Sequence, residues 1–462
     1  MALAGLLKRA HLRIPSDKGV RTFITVWMGQ LVSTVGSGLT SFAMGVWVYQ
    51  ETGSTTLFAL NLLAFALPNL LLSPISGLAA DRWDRRLVMI MSDCGAALST
   101  LAAASLIFTG SLEVWHVYLL TAVNAAFTSF QWPAYSAATT LLVPKEHLGR
   151  AGGMVQIGEA ISQLISPAVA GTLMVTVGLE GVVVLDFATF LVAIGTLVFV
   201  RFPQPEETEE GKAGKGSFWK EFIYGWQYIT ARPGLFGLLM IFAANNFFFG
   251  LMYPLFVPML LEMTTADVVG YLFSFVGVGM LVGTVVMSLW GGPKRRVHGV
   301  LGFMMVQGFF MVFLGIRPSL IIMSIAGFLM MFMNPIINGS SQALWQSKVA
   351  VDVQGRVFAV RRMFAWIAMP LAYILAGPLA DYVFNPLLVE GGPLVDSVGK
   401  VIGVGPGRGS GFLFIWLGCL TLLVSLLGYI YPRVRRVEDE LPDAIPDETN
   451  VQRTTAEPAA VN

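Results

Sequence analysis

Of 462 residues, 55% are hydrophobic and only 12% charged, the formal net charge is +1, and the mean hydropathy is +0.70. That is about half the charge of a water-soluble domain, which excludes an ordinary soluble enzyme and leaves no basic excess for a nucleic-acid partner. The only cysteines, Cys94 and Cys419, fall inside apolar runs and offer neither a disulfide framework nor a metal centre.

The chain opens with a basic segment, 1–21, that leads into a span-length apolar run without a small-residue cleavage site, so it is expected to be retained. Twelve apolar runs follow, at about 22–49, 55–79, 87–109, 114–142, 152–177, 181–200, 234–261, 268–290, 299–316, 319–345, 357–384 and 411–431. Each is near the roughly 20 residues that cross about 30 Å of hydrocarbon as a helix. The first six form an N-terminal bundle, 22–201. Residues 202–233, with Pro203, Pro205, an acidic run from Glu206 to Glu210 and a Gly/Lys stretch from Gly211 to Gly216, read as a cytoplasmic linker. The last six form a C-terminal bundle, 234–431, and the charged, Pro- and Thr-containing remainder, 432–462, is expected to be disordered.

The halves echo one another. Trp132-Pro133 and Asn334-Pro335 each lie within a span, and each is followed by a loop ending in Gly-Arg. Six spans plus six with internal symmetry is a transporter architecture. On alternating sides of this map, all but Arg317, Lys400 and Arg408 of the 29 lysines and arginines fall on one face, which places both termini in the cytoplasm.

Between spans 2 and 3, the stretch Gly77-Leu78-Ala79-Ala80-Asp81-Arg82-Trp83-Asp84-Arg85-Arg86 packs five charged side chains into a tight loop. Such a loop belongs at the membrane surface, where it can tie helices together electrostatically. Gly377-Pro378-Leu379-Ala380-Asp381 reads like the same pattern but falls on the opposite, external face. The expected second-half counterpart after span 8, Gly291-Gly292-Pro293-Lys294-Arg295-Arg296, carries no acid. Gly270, Gly277, Gly279 and Gly283 in span 8 are placed for close helix contact. The glycine-rich run 402–409 lacks the preceding strand of a nucleotide site and is expected to be a flexible external loop.

With this map, the chain resembles the major facilitator superfamily over residues 20–432. The family loop runs Gly, any, Leu, Ala, Asp, Arg, any, Gly, Arg, Lys. Gly77, Ala80, Asp81, Arg82 and Arg85 match it, Arg86 stands for Lys, Ala79 for Leu, and Asp84 for the second Gly. The stretches Trp27–Ser33, Gly45–Tyr49, Trp132–Tyr135 and Gly355–Phe358 resemble the bacterial twelve-helix exporters of the macrolide and siderophore type. Ser166-Pro167-Ala168-Val169-Ala170-Gly171 resembles the family's Gly-Pro antiporter motif, with Ser166 in place of Gly.

The resemblance implies an all-α membrane protein of two pseudo-symmetric six-helix bundles. It also implies that Asp81 latches the cytoplasmic side by facing the start of span 11, where Arg356, Arg361 and Arg362 add to the positive helix end. Arg85 is expected to bridge to Glu146. Three acids lie within spans, Asp93, Glu159 and Asp186, with no basic residue beside them in the hydrocarbon. A carboxyl that loses its charge when desolvated suits a proton carrier. Glu159 is the first candidate, because helix 5 of the resembling fold borders the interface between halves. Asp93 and Asp186 follow, and Asp93 has the alternative of pairing with Arg85 or Arg86.

In the resembling fold helices 1, 4, 7 and 10 line a cavity. Their polar residues here recur at helical spacing: Gln30, Ser33 and Thr34; Asn124, Phe127 and Gln131; Asn245 or Asn246 with Phe249; Asn334, Asn338 and Gln342. Neutral amides, hydroxyls and aromatics suit a mostly apolar organic molecule, with no fixed positive charge to clamp an anion. The expectation is a monomeric secondary transporter of a bacterial-type inner membrane, exporting small amphipathic compounds by alternating access in proton antiport. It needs no cofactor beyond the proton gradient, and no Gly-x-x-x-x-Gly-Lys-Ser/Thr loop for ATP is present. Import of a neutral metabolite and a non-transporting scaffold or sensor are the alternatives.

Overall fold

A computed structural model of the chain describes residues 18–143, 148–200, 202, 218–349 and 353–442. The apolar runs form twelve long helices: α1 (Lys18–Thr52), α2 (Thr55–Arg82), α3 (Arg85–Phe108), α4 (Val114–Leu142), α5 (Leu148–Thr176), α6 (Gly178–Phe199), α7 (Pro233–Leu261), α8 (Ala266–Trp290), α9 (Arg296–Ile316), α10 (Leu320–Lys348), α11 (Gln354–Pro378) and α12 (Arg408–Ile430). No strand occurs among the described residues. Among the described residues, ten helices are long and apolar enough to cross a membrane. The other two, α4 and α5, have 29 residues each, about 43 Å at 1.5 Å per residue, and carry Asn124, Thr128 and Gln131 or Glu159 and Ser162 within them.

Local chemistry sets several ends. Asp84, which replaces the family glycine, needs no left-handed backbone: it sits at φ −59° and ψ 115° and caps α3, its Oδ1 accepting from Leu87 N at 3.0 Å. Gly291 ends α8 in the left-handed conformation, at φ 75°. Pro233 opens α7, where a missing amide costs nothing.

The chain divides into two compact units, Met1–Glu51 with Asn61–Thr208 and Ala266–Ser274, and Thr52–Leu60 with Glu209–Thr265 and Phe275–Asn462. In the first, α3 packs on α4 and α6. Small residues bring α1 and α5 close: Ser162 Oγ donates to Thr34 O at 2.9 Å and Ser166 Oγ to Val35 O at 3.0 Å, with Gly38 opposite Ser166. The antiporter-like stretch of α5 also seats the first turns of α8. Gly270 lies against the Pro167 carbonyl, and the Thr172 and Tyr271 hydroxyls are 2.8 Å apart.

In the second unit α9 packs on α10 and α12, and α7 on α11 and α12, around a core that includes Leu235, Leu238, Met304, Leu344, Trp345 and Val360. Gly279 and Gly283 of α8 lie directly on the carbonyls of Phe328 and Phe332 of α10, the close contact anticipated for these glycines.

Three segments read as irregular are more ordered than expected. Within the linker, Phe218–Thr230 is a helix. Phe222, Trp226 and Ile229 share one face, Ile229 is fully buried, and Trp226 stacks on Phe364 with centroids 4.7 Å apart. The period was masked by the Gly/Pro-rich residues before it. The glycine run expected to be a flexible external loop, with Gly403, Gly405 and Gly407 at positive φ, is tied down by Arg408, whose Nη2 donates to Gly315 O at 2.6 Å at the end of α9.

The start of the expected disordered tail is folded as well. Pro432–Arg435 and Val437–Glu440 are short helices, with Val434 and Val437 in the core. The Glu438 carboxylate accepts from Arg296 N at 3.0 Å and Val297 N at 2.9 Å, capping α9, while Lys348 Nζ donates to Glu438 O and Leu441 O at 2.5 and 2.7 Å. These bonds fix a segment whose composition alone lacks apolar bulk. Glu438→Ala is expected to cost about 1 kcal/mol, the worth of a charged cap. A lowered melting temperature in detergent, with transport retained, checks it.

Candidate transport site

The first unit holds a partly open cavity of about 510 Å³. Its wall includes Gln30, Ser33 and Thr34 from α1, Asn124, Thr128 and Gln131 from α4, and Trp27, Phe65, Trp132 and Phe190 as aromatic surfaces. All three intramembrane acids, Asp93, Glu159 and Asp186, reach it, and its described lining holds no lysine, arginine or histidine. Chain spacing alone could not show that acids on α3, α5 and α6 converge.

Their settings differ. Asp93 is 4% exposed and ends a chain of amides: Gln131 Nε2 donates to Gln30 Oε1 at 2.7 Å, and Gln30 Nε2 donates to Asp93 Oδ2 at 2.9 Å. Asp186 is 1% exposed and accepts from Thr100 Oγ1 at 3.3 Å. Glu159 is only half-buried and accepts from Trp132 Nε1 at 3.1 Å. The alternative pairing of Asp93 with Arg86 is not made. Arg86 instead donates to Leu197 O and Val198 O, at 2.7 and 2.6 Å, closing carbonyls at the end of α6.

Phe127 is the member of the α4 set that does not face the cavity. It lies over Gly95 of α3, where a Cβ would overlap its ring. A helical stripe one residue wider than the cavity explains its inclusion.

In the second unit several of the named residues are engaged with protein groups. Asn338 Nδ2 donates to Asn334 Oδ1 at 2.9 Å, Asn246 Nδ2 to Ala365 O at 3.5 Å, and Asn245 is buried. Phe249 is half-buried on the same helix, α7. Gln342 serves a residue that the sequence placed at the cytoplasmic surface: Arg361. Its Nη1 donates to Gln342 Oε1 at 2.9 Å and its Nη2 to Ser341 Oγ at 3.0 Å, with the guanidinium 5.3 Å from the Trp345 ring. So this unit does present a fixed positive charge among its polar residues, contrary to the neutral face expected. Being two turns into α11, Arg361 reaches along the helix to α10, and its i, i+4 offset from Val357 was the available signal.

The fold is shared with solved transporters. A bacterial homologue of the human lysosomal transporter Spinster, in an inward-facing and unoccupied conformation, superposes with a TM-score of 0.67, covering 91% of this chain and 98% of that one at 14% identity. The sequence model described as "Major Facilitator Superfamily" matches residues 26–373. The chain belongs to the major facilitator superfamily. It is therefore a multi-pass membrane transporter of small molecules and not an enzyme. Macrolide efflux protein A of Streptococcus pyogenes is 28% identical over 366 residues, 78% of this chain and 90% of that protein. The enterobactin exporter EntS of Shigella flexneri is 24% identical over 407 residues, 87% of this chain and 91% of that one.

The family loop is described in part. Gly77, Asp81 and Arg82 are in the last turns of α2, with the side chains of Asp81 and Arg82, like that of Arg356, outside the described residues, and Glu146 lies outside them altogether. Arg85 Nη1 donates to Ala137 O at 3.1 Å, which ties the loop to α4.

Proposed function

We propose that this transporter exports small amphipathic organic compounds by alternating access, in exchange for protons. The observation that carries the export reading is the likeness to macrolide efflux protein A along 90% of its length. The cavity supports it: amides, hydroxyls and aromatic faces fit a largely apolar molecule with a few polar groups.

Three carboxyls without a cationic neighbour on its wall suit a site that trades protons for cargo. Among them Asp93 is the best placed carrier. Gln131 and Gln30 face the cavity and end on Asp93, so a cargo that takes hydrogen bonds from either amide withdraws support from the carboxylate. Glu159, open to the cavity beside Trp132, is then placed to meet the cargo itself. Both termini face the cytoplasm in this reading, following the lysine and arginine distribution, and the monomer is the working unit.

The test is growth of a pump-deficient bacterial host across macrolides, lipophilic cations and other amphipathic toxins. The intact chain is expected to raise the tolerated concentration of some of them, and Asp81→Asn, present in the membrane at equal amount, to lose that protection. Greater accumulation of those compounds in cells carrying the intact chain overturns export in favour of import.

A further inference from the structure

The Gly377-to-Asp381 stretch, set aside in the sequence as a copy of the loop motif on the wrong face, makes a specific contact. Asp381 Oδ2 accepts three hydrogen bonds from the start of α2: Ser54 Oγ at 3.1 Å, Thr56 N at 2.8 Å and Thr56 Oγ1 at 2.7 Å. Ser54 precedes the helix, and its hydroxyl in turn accepts from Leu57 N at 3.3 Å. Asp381 thus does for α2, from another helix, what a capping acid does within one. It satisfies an orphan amide and sets negative charge on the positive end of the helix.

Two further features are built around the contact. Gly377, one turn before Asp381, lies on the backbone of Thr56, where any side chain would collide. At Pro378 α11 gives way to a π-helical turn, Leu379–Phe384, that carries Asp381. Such turns are rare and are found frequently at functional sites. The same pair, Gly and Asp four residues apart, therefore marks the end of both helices: Gly77 and Asp81 in the last turns of α2, Gly377 at the end of α11 and Asp381 in the π-helical turn that continues it. The two pairs belong to opposite ends of α2, about 35 Å apart at 1.5 Å per residue.

We propose that Asp381 is a positioning residue for transport, the bolt of a second latch that holds the first turn of α2 to the end of α11 and releases it once in each cycle. This rests on the alternating-access reading. The resemblance gives Asp81 the start of α11 to hold, so the two latches use the same two helices at opposite ends. Closing one while the other is open gives each conformation its own capped helix start. A cap of this kind shifts an equilibrium by about tenfold. That is enough to bias the two states and small enough for cargo binding to reverse.

The test uses full-length protein in lipid nanodiscs, with Cys94→Ala and Cys419→Ala as background and spin labels on cysteines replacing Glu51 and Tyr382. The parent is expected to show mainly one short distance. Asp381→Asn, which keeps the shape and removes the charge, is expected to raise the ratio of long to short distances about tenfold, and Asp381→Glu to restore part of it. An unchanged ratio in a variant with the parent's melting temperature overturns the proposal.

A second arm covers the case in which the charge variant folds poorly. With cysteines replacing Glu51 and Tyr382 and Asp381 left intact, a reducible thiol-to-thiol crosslinker is expected to stop export and a reductant to restore it; undiminished export by the cross-linked protein overturns the latch. The distance measurement needs no cargo, so it reads the latch even where the export assay finds none.

Discussion

Asp93→Asn is expected to abolish substrate-driven proton release from inside-out vesicles, lowering it by about a hundredfold, the scale on which a positioned proton-transfer group contributes. Asparagine keeps the shape of the side chain and can still accept from Gln30 Nε2, which now lies 2.9 Å from Asp93 Oδ2. What it cannot do is gain and lose a proton. The variant should therefore bind cargo and remain folded while losing coupling, and binding measured on the purified protein separates these.

Glu159→Gln in the same vesicles is expected to weaken cargo binding and leave the proton released per cargo molecule near that of the parent. Glu159 is half-buried at the cavity wall, with its carboxylate on Trp132 Nε1. Equal proton release from the parent and Asp93→Asn would instead return the carrier's role to Glu159 or Asp186.

Much of the architecture was legible because bilayer physics leaves few choices. A run such as 411–431 has nowhere to go but across hydrocarbon, and the charge of the Gly77–Arg86 loop has nowhere to go but its surface. The site was legible only one helix at a time. Gln30, Asn124 and Gln131 were found by their spacing, and Asp93 by being an acid in an apolar run. The union of Gln131, Gln30 and Asp93 into one chain of hydrogen bonds depends on the rotation and crossing of α1, α3 and α4, which sequence periodicity does not fix.

Arg361 escaped for a related reason. Near a helix end a long side chain points either to water or inward to a polar partner, and the choice is made by Ser341 and Gln342 on another helix. The folded start of the tail escaped because its stability lies in tertiary bonds, Glu438 on the α9 amides and Lys348 on the tail carbonyls, rather than in its composition.

Gly279→Ala combined with Gly283→Ala is expected to lower the melting temperature more than any substitution on the cavity wall. A Cβ at either position overlaps a backbone carbonyl of α10, that of Phe328 or Phe332, and backbone cannot swing aside as a side chain can. Without a hydrophobic force between helices in lipid, close van der Waals contact is what holds such a pair together, and overpacking typically costs about 1–3 kcal/mol per site. Gly195→Ala in α6 is the matched control. A Cβ there meets nothing within 4 Å, so the helix propensity of alanine should make it neutral or slightly stabilising. The two glycines of α8 also lie against α10, the helix that carries Asn334, Asn338 and Gln342. Pushing α8 off α10 should therefore disturb those polar residues as well, and a double variant that melted like the parent would show that the α8–α10 contact is not what fixes them.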